Sequence, residues 1–211
     1  MELISVQAVK HPKLLLYLSE QGLQPSDVSP FLSEVYYRVS EKCFFALGFP
    51  NDAGGWELRN PYFKGCFAPK AITTIKGTDS HKLQLFEGFI DFLSWRKLHP
   101  EGQADSIMLN SLTLLPKLIL SLRSYTLIES FLDMDEVGDR ATKQLFDAGL
   151  PVKDMQACYT PYKDVNEYLV QRLQGKKISP PARGDCVDKA ESSAPRSLKA
   201  NLEISRSREI N

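Results

Sequence analysis

Two short acidic motifs carry the chemistry that can be read in this chain. The first is Phe86-Glu87-Gly88-Phe89-Ile90-Asp91, and the second is Leu132-Asp133-Met134-Asp135-Glu136-Val137-Gly138. Each follows a short apolar run and opens a stretch with helical spacing, so Glu87, Asp133 and Asp135 stand where strands end and helices begin. Three carboxylates brought together repel one another, and a cation relieves that repulsion. Mg²⁺ or Mn²⁺ suits such a set, because hard cations take oxygen ligands and keep positions for water and phosphate. An ion held this way can orient a phosphodiester or a triphosphate and stabilise charge on the attacking and leaving oxygens. Neither motif is specific alone. A D-x-D pair is common by chance, and a Glu at a helix start more often just complements the helix dipole. Their joint placement is the stronger signal.

The elements that must position these residues follow from the hydrophobic period. From residue 82 onward strands and helices alternate. Strands are expected at 82–86, 106–109, 126–132 and 154–159, and helices at 88–97, 114–124, 139–148 and 164–174. This alternation implies βαβ units in an α/β fold with a mostly parallel, four-stranded sheet and flanking helices. Ligands in such folds bind outside the carboxyl ends of the strands, so Glu87, Asp133 and Asp135 can share one rim. Asn110 and Ser111, at the end of the second strand, fall on the same rim and are candidate phosphate contacts. Before residue 82 the pattern is mixed. A helix is expected at 12–21, and a second is expected to start after Ser26 or Ser29 and run through FLSEVYYRV. A hairpin follows, from strands at 43–49 and 56–59 joined by Pro50-Asn51-Asp52-Ala53-Gly54-Gly55. Arg59, Lys64 and Lys70 are interleaved with Trp56, Tyr62, Phe63 and Phe67, a pattern that can track phosphates and stack bases. The same aromatics can equally form the core of a small subdomain.

Composition narrows the class. The chain has 211 residues, 43% hydrophobic and 25% charged, enough to bury a core. Its net charge is zero, but residues 56–82 carry a net +3 and residues 83–139 a net −5. A basic segment beside an acidic one fits a phosphate track leading to a metal pocket. The four cysteines are scattered, without zinc-ligand spacing, and are expected to be reduced thiols in a cytoplasmic protein with no zinc of its own. No apolar run approaches the length of a membrane span, and no membrane partner is expected. Residues 175–211 are rich in Ser, Pro, Lys and Arg, carry a net +3, and are expected to form a disordered tail.

With these residues in view the chain resembles a known family. "FEGFIDFLSW" and "FLDMDEVGDRAT" are similar to the two signature motifs of TOPRIM domains, shared by primases, topoisomerases and some nucleases. The resemblance implies that Glu87 works in acid/base chemistry or metal binding and that Asp133 and Asp135 bind Mg²⁺. Asp91 matches a further acidic position of the first motif, and Gly138 the glycine that closes the second. The likeness extends to bacterial DNA primases, and in wording to small primase-like proteins of Bacteroides-type mobile elements. "LLLYLSEQGLQPSDVSPF" resembles the helical entry of the primase polymerase domain, and "CFFALGFPNDAGGWELRN" its hairpin. "FAPK" resembles the element that makes Lys70 a nucleotide or nucleic-acid contact. "YKDVNEYL" resembles a third acidic motif, in which Asp164 matches the first acid and Asn166 replaces the second. The implied organisation is a primase-like α+β subdomain at 1–80, a Rossmann-like TOPRIM domain at 81–174 and the tail. The implied function is Mg²⁺-dependent nucleotidyl transfer on single-stranded DNA, using nucleoside triphosphates, in plasmid or mobile-element replication. A separate zinc-binding domain or a helicase would be its protein partner. Two alternatives stay open: a non-catalytic single-stranded nucleic-acid-binding module for mobilisation, and a TOPRIM nuclease.

Overall fold

The computed structural model describes residues 1–175, so the expected tail, apart from Gly175, lies outside the described residues. The first part of the chain builds a five-stranded antiparallel sheet in simple order: β1 (Glu2–Gln7), β2 (Ser33–Val39), β3 (Lys42–Pro50), β4 (Trp56–Asn60) and β5 (Phe63–Phe67). Helices α1 (Pro12–Glu20) and α2 (Pro25–Val28) lie between the first two strands in sequence. The fold is α/β with this sheet in front, but β2 corrects the expected helix through FLSEVYYRV. The apolar positions there satisfy a helical period. However, Val35, Tyr36, Tyr37 and Val39 are β-branched or aromatic, and β2 is flanked by β1 and β3, so every ladder bond is met in the sheet. β1 and β5 extend what was read as a single hairpin.

The register gives the sheet two distinct faces. Leu47 pairs with Arg59 and Phe49 with Glu57, while Arg59 pairs with Lys64 and Glu57 with Cys66. Directly paired residues share a face, so Arg59 and Lys64 lie on the same side as Leu47 and Phe49. That side joins the main core, where Phe49 stacks on Phe89 at 5.0 Å between ring centroids. The other side carries Val35, Tyr37, Ala46 and Leu58, with Trp56 and Phe67 packed against them. Trp56 and Phe67 are therefore core residues, whereas Tyr62 stands almost fully exposed.

The second sheet has the order β10-β9-β7-β8-β6. Strands β7 (Asp79–Phe86), β8 (Ala104–Met108), β9 (Leu127–Phe131) and β10 (Val152–Asp154) run parallel, and β6 (Thr73–Ile75) adds an antiparallel edge to the four strands expected. The last parallel strand is shorter than expected, because residues 156–158 turn into a 3₁₀ helix. Helices α3 (Phe89–Leu98) and α6 (Val165–Leu173) cover the face toward the first sheet. Helices α4 (Leu115–Leu122) and α5 (Glu136–Asp147) cover the other with Leu83, Leu85, Ile107 and Ile128. Cys43 and Cys66 are free thiols. Among the described residues, no helix is long and apolar enough to cross a membrane.

One buried charge fixes the edge of this sheet. Asp105 on β8 is fully buried and accepts from Lys76 Nζ at 2.6 Å, the Gly77 amide at 2.9 Å and Tyr125 Oη at 3.0 Å. Burial alone would raise its pKa, but these donors more than offset it and leave the carboxyl below its ordinary value. A depressed folded-state pKa stabilises above the unfolded value, and the gain is lost as pH falls through the folded one. Asp105→Asn is therefore expected to cost about 2 kcal/mol at pH 7 in urea unfolding, since Lys76 and Tyr125 lose a charged acceptor. The gap between wild type and variant should close below about pH 4, the ordinary Asp range.

Candidate metal and nucleic-acid site

Parallel pairing brings the acidic motifs to one rim. Phe86 at the end of β7 pairs with Phe131 at the end of β9, so the next residues, Glu87 and Leu132-Asp133, leave the sheet side by side. The Glu87 carbonyl accepts the Asn110 amide at 2.9 Å, which places the end of β8 beside them. Asp135 is the N-cap of α5: its Oδ1 accepts the amides of Val137 and Gly138, each at 3.0 Å. These amides, Gly138 first, hold the Asp135 carboxyl below its ordinary pKa. Glu87 is shifted the opposite way, first by burial and then by the charge of Asp133, with Asp135 adding to it. The pairing of Phe86 with Phe131 thus brings Glu87, Asp133 and Asp135 to one rim.

Gly138 makes this loop possible. An added Cβ there would lie 2.0 Å from the carbonyl oxygen of Asp133. Only glycine lets α5 begin this close to the preceding turn.

Behind the rim lies a second acidic layer. Asp164 is the N-cap of α6, its Oδ1 accepting the Glu167 amide at 2.7 Å. Asp91, in the first turn of α3, is buried and accepts the Asn166 amide at 3.1 Å. Burial, then Asp164 and Asp133, push the Asp91 carboxyl well above its ordinary pKa. Asn166, standing where the third motif would carry an acid, is spent on structure: its Nδ2 donates to Gln21 O and Ser94 Oγ, both at 2.9 Å. It ties α6 to α3 and to the end of α1.

The basic candidates divide. Lys64 lies close enough to Glu87 to favour its carboxylate, and Arg59 does the same for Asp91. Lys70 instead bonds the buried Glu57 carboxylate at 2.5 Å. Asn110 sits on the rim but is committed: it holds φ +59°, and its Nδ2 donates to Ala71 O at 2.9 Å and Thr73 Oγ1 at 3.1 Å, docking β6. Ser111 caps the short 3₁₀ turn that follows, 2.8 Å from Thr113 Oγ1.

Lys163 was not singled out from the sequence. Its Nζ lies 3.0 Å from Asp133 Oδ2 and 3.7 Å from Asp135 Oδ2. Those partners, Asp133 first, raise its pKa and keep it charged. The only signal was a lone cation directly before Asp164 in a segment otherwise read for its acids. Gln156 was also missed; its Nε2 bridges the Asp133 carbonyl and Asp139 Oδ1, each at 3.3 Å. Among the described residues, no three His, Cys, Asp or Glu side chains form a ready-made metal-ligand group. The donor chemistry nevertheless fits a divalent cation. Asp133 and Asp135 already share one cationic partner, and Glu87 beside them carries the cost of their charge.

Comparison with known proteins places this geometry in a class. Residues 84–169 match the family described as Toprim-like, and residues 3–68 match a domain of unknown function, DUF8464. No curated protein matches the chain in sequence. Among solved structures, the primase fragment of the bacteriophage T7 primase-helicase protein is similar over 81% of this chain and 75% of its own, with TM-score 0.55 and 17% identity. The Aquifex aeolicus primase, comprising zinc binding and RNA polymerase domains, gives TM-score 0.55 and 17% identity over 80% of this chain. The chain spans 56% of that structure. A chain of the T7 lagging-strand DNA polymerase complex, with primase domains of two gp4 subunits bound to an RNA/DNA hybrid and dTTP, gives TM-score 0.53 at 17% identity, covering 75% of this chain and 84% of that one. The fold is thus a Toprim-type α/β sheet behind an antiparallel sheet, in the arrangement of primase fragments.

Proposed function

We propose that the chain is a primase-like nucleotidyltransferase that joins nucleoside triphosphates on a single-stranded DNA template with Mg²⁺ or Mn²⁺, in plasmid or mobile-element replication. One observation carries this proposal: the face of the first sheet bearing Arg59 and Lys64 looks onto the carboxylate rim, with Lys64 near Glu87 and Arg59 near Asp91. Cations on one sheet face beside carboxylates on the neighbouring rim suit a polyanion that must meet a metal.

Asp133, Asp135 and Glu87 would hold the divalent ion, with Asp164 behind them. The ion would neutralise triphosphate charge and polarise the α-phosphate. Glu87, whose carboxyl pKa is raised by burial, would accept the proton of the attacking 3′-hydroxyl. As that oxygen bonds to the α-phosphorus, the bond from the α-phosphorus to the bridging oxygen breaks and pyrophosphate leaves. Arg59 and Lys64 would hold the strand's phosphates. A zinc-binding domain or a helicase supplied by another chain would be a natural partner.

The test is Arg59→Ala/Lys64→Ala. Single-stranded DNA affinity, measured by fluorescence anisotropy, should fall by about tenfold. The slope of log K against log salt should become shallower by about 1.4, two phosphate contacts at about 0.7 each for single strands. Unchanged binding and salt slope would remove the basic face from the site.

A further inference from the structure

We infer that Lys163 is the resident counter-cation of the acidic rim: it neutralises Asp133 and Asp135 until a divalent ion takes the same carboxylates, and it then turns to the phosphates that ion carries. The inference rests on the metal-dependent function proposed above.

One ammonium serves two carboxylates, at 3.0 Å from Asp133 Oδ2 and 3.7 Å from Asp135 Oδ2. Asp135 Oδ1 is committed to the amides opening α5. Oδ2, the oxygen nearer Lys163, is thus what that residue can offer any other cation. A divalent ion and the ammonium would compete for the same atoms, and like charges do not share them.

Lys163 is the partner built to move. Its backbone is fixed at both polar groups: its carbonyl accepts the Met134 amide at 2.8 Å, and its own amide donates to Glu167 Oε2 at 2.8 Å. Its side chain is 55% exposed, against 16% for Asp133. A lysine ammonium is a point charge with three donors on a flexible stem. Released from the carboxylates, it remains anchored at the rim within reach of an arriving anion, and charge-assisted bonds to phosphate are among the strongest open to it.

Lys163→Gln in the full chain tests this with two titrations. Mn²⁺ alone, followed by electron paramagnetic resonance, should bind the variant about three- to tenfold more tightly than wild type, because a like charge is gone. A non-hydrolysable adenosine triphosphate analogue, at saturating Mn²⁺, should bind about tenfold more weakly. Opposite changes in one variant cannot come from damage to the fold. Lys163→Arg, which keeps the charge, should bind Mn²⁺ within about twofold of wild type; a gain there like that of Lys163→Gln would overturn the competition. Mn²⁺ affinity unchanged or lower in Lys163→Gln would overturn the counter-cation role, and unchanged analogue affinity would overturn the phosphate contact. Absence of Mn²⁺ binding by wild type would overturn the metal-dependent function itself, and this inference with it.

Discussion

Asp133→Asn/Asp135→Asn should reduce template-directed synthesis by about 10³-fold or more while leaving single-stranded DNA affinity at or above that of wild type. The size of the loss follows from removing both carboxylates of one motif from a site that works largely by electrostatic stabilisation; single donors at such sites are worth about 10²–10³-fold. The choice of asparagine matters. Asp135 accepts two amides at the start of α5, and alanine there would strip the cap along with the charge. Asparagine caps about as well as aspartate, so the helix should stay in place while the rim loses two negative charges. Lys163 would lose both ion-pair partners and remain as a free cation beside the cleft, which is why DNA binding should not weaken. Mn²⁺ binding should disappear in the same variant. Synthesis within about tenfold of wild type would exclude the Asp pair from the chemistry.

Gly138→Ala is the second large effect, and it acts through geometry. The added methyl would sit 2.0 Å from the Asp133 carbonyl oxygen and 3.0 Å from its carbonyl carbon. Both atoms are backbone, so neither can swing aside as a side chain would. Relief requires the first turn of α5 to move, and that turn carries the two amides that hold Asp135. A cost of about 2–3 kcal/mol in urea unfolding is expected, the upper part of the range for overpacking. Mn²⁺ affinity should fall with it, because Asp133 and Asp135 shift relative to each other. Gly149 provides the contrast. It holds φ +68° with nothing within 4 Å of an added Cβ, so Gly149→Ala should cost only about 1 kcal/mol of backbone strain and leave Mn²⁺ binding intact. Equal Mn²⁺ affinities in the two variants would contradict the role assigned to Gly138.

The acidic rim was legible because three independent signals met there. Apolar runs ended at Phe86 and Leu132, helical spacing was expected from residues 88 and 139, and carboxylates stood between; α5 in fact begins three residues earlier, at Glu136, with Asp135 as its cap. The parallel order followed from that alternation. The first sheet was harder to read. β1 is exposed along its whole length, so burial left no period in its sequence. β2 has neighbours on both sides and buries Glu34 as well as Val35. Its apolar positions therefore failed to alternate, and a helical spacing could be drawn through them. Glu34 itself accepts the amides of Lys10 and His11, at 2.9 and 2.7 Å, as α1 begins, a long-range contact that no local pattern announces.

The site's cations show the same limit. Arg59 and Lys64 were suggested by aromatic interleaving, but only the pairing of β4 with β5, and the packing of that face against α3, brings them to the acids. Asn110 was expected at the rim and is there, yet its amide is spent docking β6, a commitment made by residues far away in the chain. Lys163 was passed over because its meaning depends on the loop between the 3₁₀ helix at 156–158 and α6 folding back so that the Lys163 carbonyl accepts the Met134 amide.

Nucleotidyl transfer at the acidic rim is tested most directly by synthesis with the wild-type chain on single-stranded DNA with labelled nucleoside triphosphates, in Mg²⁺ and in EDTA. Short, template-dependent products that carry a 5′-triphosphate in Mg²⁺ and vanish in EDTA are the expected result. Intact DNA binding without any product, or a template shortened in place of a product made, would contradict it.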